Sequence, residues 1–343
     1  MMVQEVKPKR SAALSALSLI VIIAFLATLP LWTDDYWVRI WTGVAMWAGL
    51  AASWNIIGGY AGYISFGQVA FFGIGAYATA ILMQPGLDWN FFLTLPVGAV
   101  VAGVFALIVG WPTLRLRGAY FAIATWALAE ALTQIVNTVD FTGGSFGLST
   151  PGNAETGFFY YAMLIASAAI YLIIFLLLER SRFGYKVKAV RDNEAAAQSL
   201  GINTTSVKLQ AFVLSAALPA VLGGIDAYWI TFINPQSVLA GDITDQMVVM
   251  SLVGGLGHLW GPAIGATVLY LSSTWLNAHF GSSTGYIAMI GALLALIVLF
   301  LPDGLVGLLP RVRNMRLVRQ ILRLPERPAG AAGPSVDTSG DRP

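Results

Sequence analysis

Long apolar runs separated by short polar breaks rich in Gly, Pro or charge fill almost the whole chain. Ten runs stand out, over 12–32, 40–57, 64–83, 91–111, 119–136, 158–178, 209–230, 246–256, 262–276 and 286–301. A helix crossing a ~30 Å hydrocarbon core needs about 20 residues at 1.5 Å each. Most of the runs come close to that length, and 246–256 is too short to span as an ordinary helix. The pattern predicts an all-α polytopic membrane protein of about ten spanning or partly spanning helices.

Charge then orients the runs. When they are threaded back and forth through a bilayer, eighteen of the nineteen Lys and Arg residues fall on one side and Arg39 alone on the other. By the positive-inside rule that side is cytoplasmic, and it holds both termini, from Lys7, Lys9 and Arg10 to Arg311, Arg313, Arg316, Arg319 and Arg323. Composition agrees: the chain is 57% apolar and 10% charged, with a mean hydropathy of +0.74, where soluble proteins carry about 25% charged residues. A net charge of +2, with basic residues flanking the runs, is no nucleic-acid footprint. The absence of Cys excludes disulfides, thiolate zinc sites and Cys nucleophiles. The expected organisation is a cytoplasmic N-terminus over 1–11, a membrane domain over 12–305 with a cytoplasmic loop at 179–208, and a basic, then Pro- and Gly-rich tail over 306–343 that is predicted to be disordered. The first run, 12–32, reads as a retained signal anchor.

Two Gly-rich passages interrupt the helical pattern, Gly58-Gly59-Tyr60-Ala61-Gly62 with Gly67, and Gly254-Gly255-Leu256-Gly257 with Gly261-Pro262. Broken helices line transport paths in many carriers; close helix packing through Gly-x-x-x-Gly spacings accounts for the same glycines without any substrate. Asn55 and Gln68 flank the first passage, where their amides can meet a substrate or satisfy freed backbone. Glu130 lies about ten residues into the fifth run with Gln134 one turn on, along the same face. An intramembrane carboxyl is costly, so the pair lines a polar path or locks two helices together. Ser145, among the glycines of 143–147, sits at the outer mouth, as a carboxylate-greeting backbone or as a plain loop.

The inner loop ERSRFGYKVKAVRDNEAAAQSLGINTTSVK, 179–208, is polar enough to leave the membrane and patterned enough to fold. Asp192 or Asn193 can cap a short helix, Glu194 complements its dipole, Ala195 and Ala196 favour it, and Gly201 is placed to end it. Such a helix fits a groove on a partner, or serves as an amphipathic connector. The enzyme spellings fail on context. Gly143-Gly144-Ser145-Phe146-Gly147 has no preceding strand, Gly73-Ile74-Gly75-Ala76-Tyr77-Ala78 lies in an apolar helix, and no Walker A motif occurs.

From about Trp41 to Leu305 the chain resembles the branched-chain amino acid permeases of ATP-binding-cassette importers, the LivM type. WNIIGGYAGYISFGQVAFFGIGAYATA (54–80), LRLRGAYFAIATWALAEAL (114–132), TGGSFGL (142–148), RSRFGYKVKAVRDNEAAAQSLGI (180–202) and VVMSLVGGLGHLWGPAIGA (248–266) carry the resemblance. It implies the importer permease fold, in a bacterial inner membrane. The implied partners are a related sister permease, two cytoplasmic ATPases and an extracytoplasmic binding protein. ATP and Mg would sit on the ATPases, with no cofactor on this chain. It also implies that Arg182, Phe183, Gly184, Glu194, Ala195, Ala196 and Gly201 couple to the ATPases through a Glu-Ala-Ala motif whose spacer to Gly is one residue longer here than in the family. The implied activity is import of branched-chain amino acids by alternating access. Import of urea or short amides by a related permease is the nearest alternative, and a stand-alone channel or ion-coupled carrier is the next.

Overall fold

The computed structural model describes residues 25–152, 155–281, 291 and 304–307. Two compact units divide the chain, Met1–Val306 and Gly307–Pro343; of the second, only Gly307 lies within the described residues. The run at 286–301 falls outside them apart from residue 291, as does 12–32 up to residue 24.

The membrane unit is helical: α1 (Asp35–Asn55), α2 (Gln68–Leu82), α3 (Phe91–Thr113), α4 (Ala119–Thr138), α5 (Thr156–Ile174), α6 (Arg182–Asp192), α7 (Glu194–Ser199), α8 (Thr204–Ile230), the single turn α9 (Pro235–Val238), α10 (Gly241–Gly254) and α11 (Gly261–Phe280). Two helices end in wider π turns, α1 through Ile56–Tyr60 and α5 through Phe175–Glu179. Among the described residues, five helices are long and apolar enough to cross a membrane: α1 and α5 with their π ends, α3, α4 and α8. At 15 and 14 residues, α2 and α10 are shorter.

α1 and α8 form the centre. Small residues let backbones approach there: a side chain at Gly75 of α2 would run into the carbonyl of Ala220 in α8, and one at Gly223 of α8 into that of Phe72. Hydroxyls bond neighbouring helices together, Ser167 to the Ala45 carbonyl at 2.6 Å and Ser251 to that of Ala51 at 2.9 Å. α10 and α11 close on each other through Gly254, Gly261 and Gly265, so in the second passage the glycines do serve close packing.

The described loops gather at two ends of the helices. At one, the α3–α4 turn meets the 180–208 loop, with Lys208 Nζ 3.2 Å from the Leu114 carbonyl and Arg117 3.4 Å from Glu194. At the other, Leu148–Ser149 (β1) pairs antiparallel with Phe232–Ile233 (β2), Leu148 opposite Ile233, and Gln84 bonds the Ser149 carbonyl at 2.9 Å.

Candidate translocation face and coupling loop

The first break falls later than its first two glycines. Gly58 and Gly59 stay within the π end of α1, and the chain is unwound from Ala61 to Gly67. Lipid offers no hydrogen bonds to freed backbone, and side chains of α4, α10 and α1 itself supply them. Thr125 Oγ1 of α4 accepts from Phe66 N at 3.1 Å, Thr244 Oγ1 of α10 from Val69 N at 2.9 Å, and Trp54 Nε1 donates to the Ser65 carbonyl at 2.7 Å. Two threonines in apolar helices carried no sequence signal for this role.

Asn55 serves the other break. Buried, its Oδ1 accepts from Gly257 N at 3.0 Å and its Nδ2 donates to the His258 carbonyl at 3.1 Å. Gln68, also fully buried, donates from Nε2 to Ser215 Oγ at 3.2 Å. Ser215 spends its own proton on the Phe212 carbonyl, which fixes the orientation of the amide, and Gln68 Oε1 is left without a partner.

On α4, Phe121, Thr125 and Ala129 pack inward. Glu130 and Gln134 lie on the opposite, exposed face, joined by a Gln134 Nε2 to Glu130 Oε1 bond of 2.9 Å. Tyr120, Ile123 and Trp126 share that exposure. Ser145 is exposed in the 3-10 turn Gly144–Phe146, on the face away from the charged loop.

The charged loop folds as two helices. Ser181 caps α6, accepting from Phe183 N at 3.0 Å, and Asn193, not Asp192, caps α7, accepting from Ala196 N at 3.0 Å. Gly201, at φ +81°, ends α7 in a Schellman arrangement: Ile202 N bonds Ala197 O at 3.1 Å and Gly201 N bonds Gln198 O at 3.0 Å. Gly184, Val187, Val190 and Ala197 are buried, holding the loop down. Phe183 is half-buried against the same core, while Arg182, Ala195, Ala196, Leu200 and Gly201 are exposed.

Glu194 points inward. Its carboxylate takes Lys208 Nζ at 2.7 Å, the Tyr63 hydroxyl at 3.0 Å and Arg117 at 3.4 Å. Burial works to raise its pKa; the hydrogen bond and charge of Lys208, the Tyr63 hydroxyl and Arg117 outweigh that and hold it below the usual glutamate range. Lys208, Tyr63 and Thr244 were not among the residues singled out from sequence. Lys208 alone had a usable signal, a single cation at the very edge of an apolar run. Beneath the loop a cavity of about 840 Å³ opens between Tyr63, Phe66, Arg117, Arg191, Glu194 and Leu252.

Residues 36–301 match the model of the family described as branched-chain amino acid transport system / permease component. The chain belongs to this family. It is 29% identical over 300 residues to the high-affinity branched-chain amino acid transport system permease protein LivM of Salmonella typhimurium, covering 78% of this chain and 69% of that one. Against LivM of Escherichia coli it is 28% identical, covering 84% and 74%. It also matches LivH of Escherichia coli, 28% identical over 78% of this chain and 94% of that one. Among solved structures, PsaBC from Streptococcus pneumoniae in complex with Fab aligns at a TM-score of 0.45 and 16% identity, covering 80% of this chain and 95% of that one. As a member of this family the chain is a multi-pass transport permease. Among the described residues no three His, Asp or Glu side chains gather.

Proposed function

We propose that this chain is the membrane subunit of an ATP-driven importer of branched-chain amino acids, working by alternating access beside a related sister permease in a bacterial inner membrane, with its termini cytoplasmic. The observation that carries the proposal is the folded loop. α6 and α7 are capped, ended and pinned to the membrane core, yet display Ala195, Ala196 and Leu200 outward. A rigid helix that exposes small residues and one leucine suits a groove on a cytoplasmic ATPase, and a pinned base passes force inward. Two ATPases would supply ATP and Mg chemistry, and an extracytoplasmic binding protein would deliver the substrate at the face that holds Ser145.

Substrate class follows from the relatives' names and from the polar groups present. Glu130 and Gln134 face out of this subunit at mid-membrane, where the sister chain and the path would lie. Gln68 Oε1, buried and unpartnered, is an acceptor free for the ammonium of an amino acid when the first break shifts. The 840 Å³ cavity, with Arg117, Glu194 and an apolar wall of Phe66 and Leu252, suits a zwitterion with an aliphatic side chain on its way out. Asn55 holds the two breaks together.

The test is purification of a tagged copy from its native host, with crosslinking before extraction, followed by uptake assays in vesicles. Recovery of a sister permease and two ATPases, with ATP-dependent leucine, isoleucine or valine uptake, is expected. Uptake of urea alone would move the assignment to short amides. A chain trapped repeatedly without any ATPase would favour a channel or ion-coupled carrier.

A further inference from the structure

Helix α6 and the two glycine-rich breaks converge on one side chain. Arg191, in the last turn of α6, donates from Nη1 to the carbonyl of Gly59 at 3.1 Å. Gly59 lies in the π end of α1, and π turns of this kind are frequent at functional sites. The stem of Arg191 covers Gly62, where a Cβ would come 2.8 Å from its Cγ; its Nη1 lies against Gly257 of the second break, where a Cβ would come within 2.7 Å. The two breaks also touch directly. A Cβ on Gly59 would approach Gly257 N to 2.5 Å, and Asn55 bonds both Gly257 and His258 across the gap. One turn back on α6, Lys188 lies over the ring of Tyr60 at 5.3 Å and pairs with Glu179 at 3.2 Å, which accepts the Tyr60 hydroxyl at 2.7 Å. α6 therefore grips the π segment at two successive turns.

We infer that Arg191 is the positioning residue through which motion of the cytoplasmic loop reaches the membrane, clasping both glycine-rich breaks so that α1 and the α10–α11 pair move with α6 as one body. The inference rests on the importer proposed above. The local chemistry suits a joint. The guanidinium side chain is 39% exposed and also touches Asp192 at 3.3 Å, and exposed ionic contacts are weak enough to exchange. The glycines leave no side chain between the moving backbones. Neither Lys188 nor Lys208 bridges the two breaks: Lys188 reaches the π end and Glu179, and Lys208 holds Glu194, Tyr63 and the Leu114 carbonyl.

The test uses the complete complex in proteoliposomes, measuring leucine moved per ATP hydrolysed in parent, R191A and R191K. The expected result is R191A that retains its ATPases and hydrolyses ATP, with leucine moved per ATP down about tenfold, and R191K between the two. A second readout uses the absence of Cys in this chain. With Leu256→Cys placed at the exposed second break, the rate of labelling by a water-soluble thiol reagent changes on ATP trapping in the parent and stays flat when R191A is added. Parental leucine per ATP together with a parental change in labelling would overturn the inference. If R191A loses its ATPases, R191K decides by the same ratio: reduced transport per ATP supports the clasp, and a parental ratio sinks it. Failure of the importer proposal shows differently, as a parent complex without ATP-dependent uptake.

Discussion

Glu194 shows how one residue can be read correctly in place and incompletely in role. The sequence put it in the first turn of a short helix, and it is there; what the sequence did not disclose is Lys208, fourteen residues on and 5% exposed, which needs the carboxylate. Breaking a buried pair from one side strands a charge at a cost of about 3 kcal/mol, at the low end because Glu194 is partly exposed. Glu194→Gln is therefore expected to lower the thermal unfolding temperature of the purified chain in detergent, and Glu194→Gln combined with Lys208→Met to recover most of the loss. A double mutant no more stable than the single would refute the pairing. The carboxyl is held below its ordinary range when folded, so its contribution is present above the unfolded glutamate pKa and fades as pH falls through the lower folded value. Unfolding curves of parent and Glu194→Gln should converge over that acid window. Asn55 is the comparable case in the membrane. Asn55→Leu removes the partner of the Gly257 N–H and of the His258 carbonyl; both bonds are part-buried, so the cost is about 1 kcal/mol each, the low end for an unsatisfied group, read as a lower unfolding temperature with transmembrane insertion retained.

At the scale of elements, α7 was legible because its signals are local. Asn193, the three alanines and Gly201 each act within one turn, and the structure uses them as a cap, a body and a left-handed stop. The docking proposed for its outer side is separable from its stability, since surface substitutions away from special features stay within about 0.5 kcal/mol. Leu200→Asp, at 81% exposure, should leave the unfolding temperature of the chain unchanged while cutting co-purified ATPase by about tenfold, the range expected when a docking anchor is lost. Undiminished ATPase recovery would place the contact elsewhere on the loop. The breaks were half legible. Glycines mark where backbones approach, and the sequence does show them; unwinding, however, starts at Ala61, after Gly58 and Gly59, because the helix widens into a π turn before it gives way. Thr125 and Thr244 bond the break and its exit from α4 and α10, Trp54 bonds it from α1 itself, and no window of local sequence contains the three together. Helix α8 likewise begins at Thr204, five residues before its apolar run, because Asn203 caps it.

For the whole molecule, the exposed face of α4 is the feature that a single chain leaves unexplained. Glu130 and Gln134 satisfy one another, and the remaining capacity of the carboxyl faces outward among Tyr120, Ile123 and Trp126. A carboxyl near mid-membrane turned to lipid costs about 2.5–3.5 kcal/mol on insertion scales, so the importer proposed here would have to cover this face with protein or water. The periodicity of the fifth run showed that Glu130 and Gln134 share a side; it could not show which side, because Thr125 and Ala129 pack inward on shape and hydrogen bonding that apolar patterning does not encode. The Cys-free chain makes the question measurable. A fluorophore on Gln134→Cys should be quenched strongly by spin-labelled lipid when the chain is reconstituted alone, and weakly once sister permease and ATPases are present. In the complex, a water-soluble thiol reagent should reach the same cysteine before labelling, and leucine should slow that reaction if the face lines the path. Equal lipid quenching in both preparations would put α4 at the periphery of the importer, and Glu130 would then be a carboxyl tolerated at the lipid boundary by its bond to Gln134.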